Sequence, residues 1–337
     1  MRRIGHLFER IVSFENLSVA FWRAAKGKKS KGSVARYVVD FEKELLTLRA
    51  ELTDGTYQPR PYFQFKVFEP KERNICCSDF RDRVVHHAIC AVVDPFFERR
   101  LIGDTFACRK GRGSHRALRR CQEFSRRHGY FLKCDISKYF ESIDHAVLKR
   151  LLSRMFKDRR LEELFSTIIE HEVPGAQPGR GVPIGNLTSQ HFANLYLGEL
   201  DHFVKEKLRV PGYLRYMDDF VLFHGSKALL GEALEEVRDF VDSNLSLRLK
   251  EKVTRLAPVS EGVAFLGFRI FPQLVRVQRA NLIRMRRKLV RKEAELVRGK
   301  ISEEELFQSI NSVLAHVSHA DSRQLLRKEV IRSLKLG

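Results

Sequence analysis

The chain has 337 residues, 43% of them hydrophobic, with 25 Phe and a single Trp. That excludes a disordered or low-complexity polypeptide and leaves length for two or three packed subdomains. Its 62 Lys and Arg against 42 Asp and Glu give a net charge of +20 and a pI near 9.9, so the expected partner is an extended polyanion.

An anionic bilayer would also attract such a chain, but no uninterrupted apolar run reaches the roughly 18–20 residues of a transmembrane span. No membrane partner is expected, and nucleic acid is the better reading. The N-terminus, Met1 to Arg10, is basic without an apolar run or a small-residue cleavage site, which predicts a cytoplasmic protein. Cys76, Cys77, Cys90, Cys108, Cys121 and Cys134 follow no framework spacing and read as reduced thiols. A zinc site can be drawn from Cys76, Cys77, His86, His87 and Cys90. It lacks the paired spacing of structural zinc sites, and 82–92 reads as a helix with His and Cys among core residues.

Residues 1–55 are predicted to be helical, with Val38, Phe41, Leu45 and Leu48 at helical intervals before the break at Asp54-Gly55. The stretch 57–70, with Phe63, Phe65 and Val67 alternating, predicts a strand. A basic turn at Lys71 to Asn74 follows, then a helix opened by Asp79 or Asp82. Phe106 to Ser114 is a basic glycine loop whose Ser114 is placed to cap a helix over 115–128. Tyr130 to Asp135 predicts a strand ending in a carboxylate, and Asp144 the cap of a helix over 145–155. Residues 174–183 form a Gly/Pro-rich loop before a helix at 189–207. Short runs at 210–216 and 220–224 flank Met217-Asp218-Asp219 as a hairpin. A helix at 229–245 and a strand pair at 263–277, split at Phe271-Pro272, come next. Between 276 and 300 ten basic residues face two acidic ones, Glu293 and Glu295. A solvated helix is one reading of that run; a nucleic-acid-facing helix is the stronger one, because one sign in such excess repels itself without a polyanion. The fold class predicted is α+β with an appended helical domain.

The chemistry is carried by three carboxylates. Asp218 and Asp219 sit at a hairpin tip, where the two-faced alternation of a strand breaks down, and sheet pairing can bring Asp135 beside them. Three crowded carboxylates resist ionising unless cations neutralise them, and Mg²⁺ suits an all-oxygen site completed by phosphates. Two such ions activate a primer hydroxyl and stabilise departing pyrophosphate, the chemistry of nucleotidyl transfer. An Asp-Asp pair by itself reads as a surface turn; its apolar, aromatic flanks and the other motifs argue otherwise.

Leu214-Arg215-Tyr216-Met217-Asp218-Asp219-Phe220-Val221-Leu222 resembles the catalytic signature of reverse transcriptases. The resemblance runs from about residue 55 to 320. Phe131 to Phe140 with Ile143-Asp144-His145 is similar to the first catalytic-Asp block of the bacterial retroelement enzymes, Asp79 to His87 to their fingers block, and Phe265-Leu266-Gly267-Phe268 to their primer-grip hairpin. Gly181-Val182-Pro183-Ile184-Gly185-Asn186-Leu187-Thr188-Ser189-Gln190 departs from the group II intron pattern. Ile184 stands where those enzymes carry Gln, and Ser189-Gln190 replaces Ser-Pro. That combination, with Ala315 to Asp321, resembles the reverse transcriptases of diversity-generating retroelements.

The resemblance implies a right-hand polymerase. Its parts would be an N-terminal helical extension (1–55), fingers (56–130), a palm of antiparallel sheet and helices (131–278, with a fingers-like insertion around 150–185) and a basic helical thumb (279–337). It implies RNA-directed DNA synthesis with two Mg²⁺ ions, Mn²⁺ being a possible substitute, held by Asp135, Ile136, Asp218 and Asp219. The implied template is a template-repeat RNA, copied from dNTPs into cDNA with errors at adenines for mutagenic retrohoming. A small, basic, oligomeric accessory protein and a bacterial or phage-infected cell are implied as well.

The implied nucleotide contacts are Lys71, Arg73 and Arg81 as a triphosphate clamp, Phe140 as a steric gate against a 2′-hydroxyl, and Ile184, Gly185, Ser189 and Gln190 around the base and sugar. Three of them have a plainer alternative. Arg81 can serve the template backbone or an ion pair with Asp79 or Asp82, Phe140 can be a core ring, and Ile184 an ordinary core residue. Glycine at 185 permits close backbone approach to the nucleotide. Loss of an amide at 184 removes a hydrogen bond of about 1 kcal/mol, a several-fold loss of discrimination. Arg109, Lys110 and Arg112, with Arg284, Arg287, Lys288 and Arg291, are the candidate nucleic-acid contacts. A retron or group II intron enzyme is the alternative within the family, and a non-catalytic RNA-binding protein of polymerase fold the alternative outside it.

Overall fold

Short polar side chains fix where four of the helices begin. In the computed structural model, which describes residues 3–28, 32–68 and 72–321, the side chains of Ser33 and Arg73 excepted, α1 (Phe8–Ile11) is followed by α2 (Phe14–Ala25), whose cap Ser13 accepts from the Asn16 N–H. Next are α3 (Gly32–Val39) and α4 (Phe41–Asp54), the latter closed by Gly55 at φ 72°. The antiparallel pair β1 (Phe63–Val67) and β2 (Arg73–Cys77) follows. Asp79 caps α5 (Phe80–Arg100) by accepting from the Arg81 N–H, and the helix continues through Pro95. Then come α6 (Ser114–Arg127), β3 (Tyr130–Asp135), α7 (Tyr139–Ser142), α8 (His145–Met155), α9 (Arg159–Glu170) and α10 (Leu187–His202). Asp144 caps α8 twice, accepting from Ala146 and Val147. A five-residue π-helical segment, Phe203–Lys207, prolongs α10.

The remainder comprises β4 (Gly212–Tyr216), β5 (Asp219–His224), α11 (Lys227–Leu245), β6 (Arg255–Pro258), β7 (Val263–Phe265), β8 (Phe268–Ile270), β9 (Val275–Val277), α12 (Arg279–Val297) and α13 (Glu303–Val317). Ser302 and Glu305 close a capping box on α13. Two sequence expectations need correction here. Gly113, at φ 91°, occupies the cap of α6 and Ser114 is already helical. The expected strand pair at 263–277 is three strands, because Leu266 and Gly267, both at positive φ, make an extra tight turn.

The chain forms two compact units. The first is Met1–Gly103, Ile136–Lys207 and Glu236–Lys250. At its centre α5 buries residues on every side, from Phe80 through Val93 to Phe97, against α2 and α10. An all-round apolar helix of this kind belongs inside a helical layer.

The second unit is Asp104–Asp135, Leu208–Glu235 and Glu251–Gly337. It contains an antiparallel sheet of order β4-β5-β3-β6 and a smaller one of order β7-β8-β9. Its core joins Phe106, Leu118 and Phe124 to Phe131, Val221 and Phe223, and continues through Phe265 and Phe268 to Leu289 and Val317. Each such side chain contributes about 1.5–3 kcal/mol when fully buried. Gly212 keeps β4 close to β5, since a Cβ there would stand 2.7 Å from that of Phe223. Among the described residues no helix is long and apolar enough to cross a membrane, and all six cysteines are free.

Candidate active site

β3 runs antiparallel to β5 with Asp135 directly opposite Asp219, and Tyr216 pairs Asp219 from β4. The β4–β5 turn is therefore two residues, Met217 and Asp218, with Met217 at φ 59°. A non-glycine residue there is uncommon. Arg215, fully buried, steadies the turn by donating from Nη1 to the Met217 carbonyl at 2.9 Å. Asp135, Asp218 and Asp219 are thereby gathered at one end of a sheet within one unit.

Lys133 lies two residues before Asp135, hence on the same face of β3. Its Nζ is 3.1 Å from Asp219 Oδ2. Sequence reasoning passed over this residue, although strand alternation marked its face. Asp219 Oδ1, in contrast, is shielded from solvent and has no hydrogen-bond partner. Burial lifts the Asp219 carboxyl to about 7; Lys133 pulls it down, while Asp135 and Asp218 push it up. An orphaned buried carboxylate oxygen in a three-carboxylate, all-oxygen donor set fits a hard divalent cation of the Mg²⁺ class. Ile136, expected among the metal-holding residues, has a buried side chain and a backbone bridge to Leu249.

The nucleotide-contact candidates lie in the other unit. The Val182 N–H donates to the Phe140 carbonyl at 2.8 Å, and the Cys76 N–H to the Ile184 carbonyl at 3.0 Å. Phe140, Ile184, Gly185 and the strand of Arg73 are thus tied through backbone bonds. Phe140 and Ile184 are half-buried, which sets both apart from ordinary core residues. Gly185 has a local reason: at φ 133°, a Cβ would stand 2.5 Å from the Cys76 carbonyl oxygen. Its backbone closeness is therefore to β2.

The other candidates divide. Ser189 is 2% exposed inside α10, whereas Gln190 is half-buried. Arg81 pairs with Glu51 of α4 and lies over the Tyr57 ring, 5.5 Å from its centroid, in place of Asp79 or Asp82. Only 11% of its side chain is exposed. Lys71 and the side chain of Arg73 lie outside the described residues. Asn186, unremarked in the sequence, joins Tyr62, Ser78, His86 and Thr188 in a hydrogen-bonded chain that pins the 182–188 segment to the start of α5.

The basic candidates belong to the same unit as the carboxylates. Lys110 is exposed, Arg112 half-buried, and Arg109 donates to the Thr105 carbonyl at 2.7 Å. On α12, Arg284, Arg287 and Arg291 are exposed and Lys288 half-buried, at the spacing of one helix face. Arg291 is 3.7 Å from Glu295, and Arg284 bonds Asn281.

The family model described as reverse transcriptase (RNA-dependent DNA polymerase) matches residues 66–270. The chain belongs to the reverse transcriptase family. This reverse transcriptase is 28% identical over 274 residues to Protein YkfC of Escherichia coli K12, covering 67% of the chain and 71% of that protein. It is 23% identical over 343 residues to the group II intron-encoded protein LtrA of Lactococcus lactis subsp. cremoris, covering 81% of the chain but 56% of LtrA. Among solved structures it is similar in fold to telomerase from Candida albicans, with a TM-score of 0.50 at 10% identity, covering 89% of this chain and 61% of that one. The α+β polymerase fold expected of this reverse transcriptase is the one described above.

Proposed function

We propose that this reverse transcriptase is a catalytically active RNA-directed DNA polymerase of the diversity-generating type. The observation that carries the catalytic part is the alignment of Asp135 with Asp219 beside Asp218, with one buried Asp219 oxygen unpartnered. In the reaction a primer 3′-hydroxyl attacks the α-phosphate of a dNTP, a P–O bond forms and pyrophosphate leaves. Two divalent ions supply activation of that hydroxyl and neutralisation of the leaving group when bound. The protein's part is to hold three carboxylates in register and, through Lys133, to oppose the protonation of Asp219 that burial favours. Phe140, five residues after Asp135, is proposed as the gate that excludes a 2′-hydroxyl. Primer extension on an RNA template with Mg²⁺ tests the activity: incorporation is expected to vanish in Asp219→Ala, and an unaffected variant would sink the reading.

The subtype rests on Ile184 and on Ser189-Gln190, with a template-repeat RNA as template and a small basic oligomeric accessory protein as partner, in the cytoplasm of a bacterial or phage-infected cell. Bridging RNA or acidic patches would have to join two basic proteins. A second reading, a group II intron-type polymerase, is favoured by the extent of the match to LtrA. Sequencing the cDNA separates the two. Errors concentrated at template adenines support the first, and an even spread over the four bases supports the second.

A further inference from the structure

Away from the carboxylate end of the sheet, one group of metal-ligating side chains converges among the described residues: Cys90, Asp94 and His191. Cys90 and Asp94 are one turn apart on α5, a spacing that puts both on one face of the helix. His191 reaches them from α10, which packs along α5. One ligand atom from each lies within 4.8 Å of the others, and His191 Nε2 is 3.1 Å from Asp94 Oδ1. The imidazole is held in that direction by stacking on Phe97, with centroids 5.9 Å apart and planes 17° from parallel. Depth is graded: Cys90 is 3% exposed, the His191 side chain 15% and that of Asp94 52%. The sulfur is the floor and the carboxylate the mouth, which gives an ion a path in.

A His–Asp pair alone would use two of the three groups and leave the thiol without a role. Metal binding takes the neutral imidazole of His191, and Asp94 and Glu98 both lie near that ring. Arg23 and Glu98 also face Asp94, with opposite signs. The donor set decides the class of ion. Thiolate, imidazole and carboxylate together suit a borderline-soft transition ion, whereas Mg²⁺ and Ca²⁺ take oxygen ligands. Tetrahedral bonds of about 2.0–2.3 Å place neighbouring ligand atoms roughly 3.3–3.7 Å apart, within reach of small side-chain rotations here.

We propose that Cys90, Asp94 and His191 bind one divalent transition ion of the zinc class, water completing the tetrahedron, and that this ion clamps α5 to α10. Binding exchanges the Cys90 S–H proton for the metal and releases it to solvent. The site is independent of the polymerase reading, since its ligands all lie outside the three catalytic carboxylates.

The test uses the full chain carrying Asp218→Asn and Asp219→Asn, stripped with chelator and titrated with Co²⁺. One equivalent is expected to give an intense near-ultraviolet thiolate-to-cobalt absorption that Zn²⁺ displaces. Cys90→Ser is expected to abolish it, while Cys77→Ser and Cys108→Ser retain it. Absence of that absorption, or its survival in Cys90→Ser, overturns the proposal. Should Cys90→Ser fail to fold, Asp94→Asn at the open mouth decides: Co²⁺ affinity at least tenfold weaker supports the site, and unchanged affinity overturns it. Zn²⁺ is also expected to raise the Tm of the parent but not of His191→Gln, and an equal rise in both overturns it.

Discussion

Lys133 is the counter-charge of Asp219 when no cation is bound, and the two are only about one-fifth exposed. Lys133→Met is expected to cost about 1–2 kcal/mol in EDTA, discounted for partial solvent screening, or roughly 2–5 °C in Tm. Saturating Mg²⁺ should narrow that gap, because the ion then supplies the missing charge; a gap indifferent to Mg²⁺ argues against Asp219 as a ligand. His86 offers a second residue-scale test. Burial lowers its pKa to about 3, so below about pH 6.5 the unfolded chain takes up a proton that the folded one refuses. Its contribution is thus intact above that pH and is lost as the pH falls, at about 1.4 kcal/mol per unit towards pH 3. Urea midpoints between pH 7 and 4 should fall less steeply in His86→Gln than in the parent.

At the scale of elements, the 182–188 segment depends on one missing side chain. Gly185→Ala meets both a strained φ and a carbonyl oxygen at 2.5 Å, so the segment must move off β2. An expected cost of 2 kcal/mol or more would show in a chemical-denaturation midpoint, together with a raised KM for dNTP. The strands ending at Asp135 and flanking Asp218-Asp219 were legible in the sequence because each is a short apolar run stopped by a carboxylate. The Asp144 cap was legible, and that of α5 was narrowed to Asp79 or Asp82, because a short acidic side chain preceding a helical pattern has few other uses. What alternation and spacing do not carry is the partner across the fold. Arg81 has Asp79 and Asp82 as its neighbours in sequence, whereas its partner Glu51 lies on α4. The burial of Ser189 follows from the inward face of α10. Cys90 has cysteines and histidines nearby in sequence, while its neighbours in space are Asp94 and His191.

For the molecule as a whole, +20 net charge makes nucleic-acid affinity a matter of ionic strength. Removing Arg284, Arg287 and Arg291 one at a time to Gln should each lower the slope of log Kd against log salt by up to about one. A slope that does not change removes α12 from the interface. The interleaving of the two units has a further outcome during synthesis. Neither is a continuous stretch of chain: the first receives its last segment only at Lys250, and the second begins at Asp104 and still draws on residues beyond Glu251. At about 5–20 residues per second, the ribosome needs roughly 5–20 seconds to go from the end of α5 at Arg100 to the end of α10 at His202. Throughout that interval the face of α5 that packs on α10 awaits its partner, so the nascent chain is expected to be a client for chaperones.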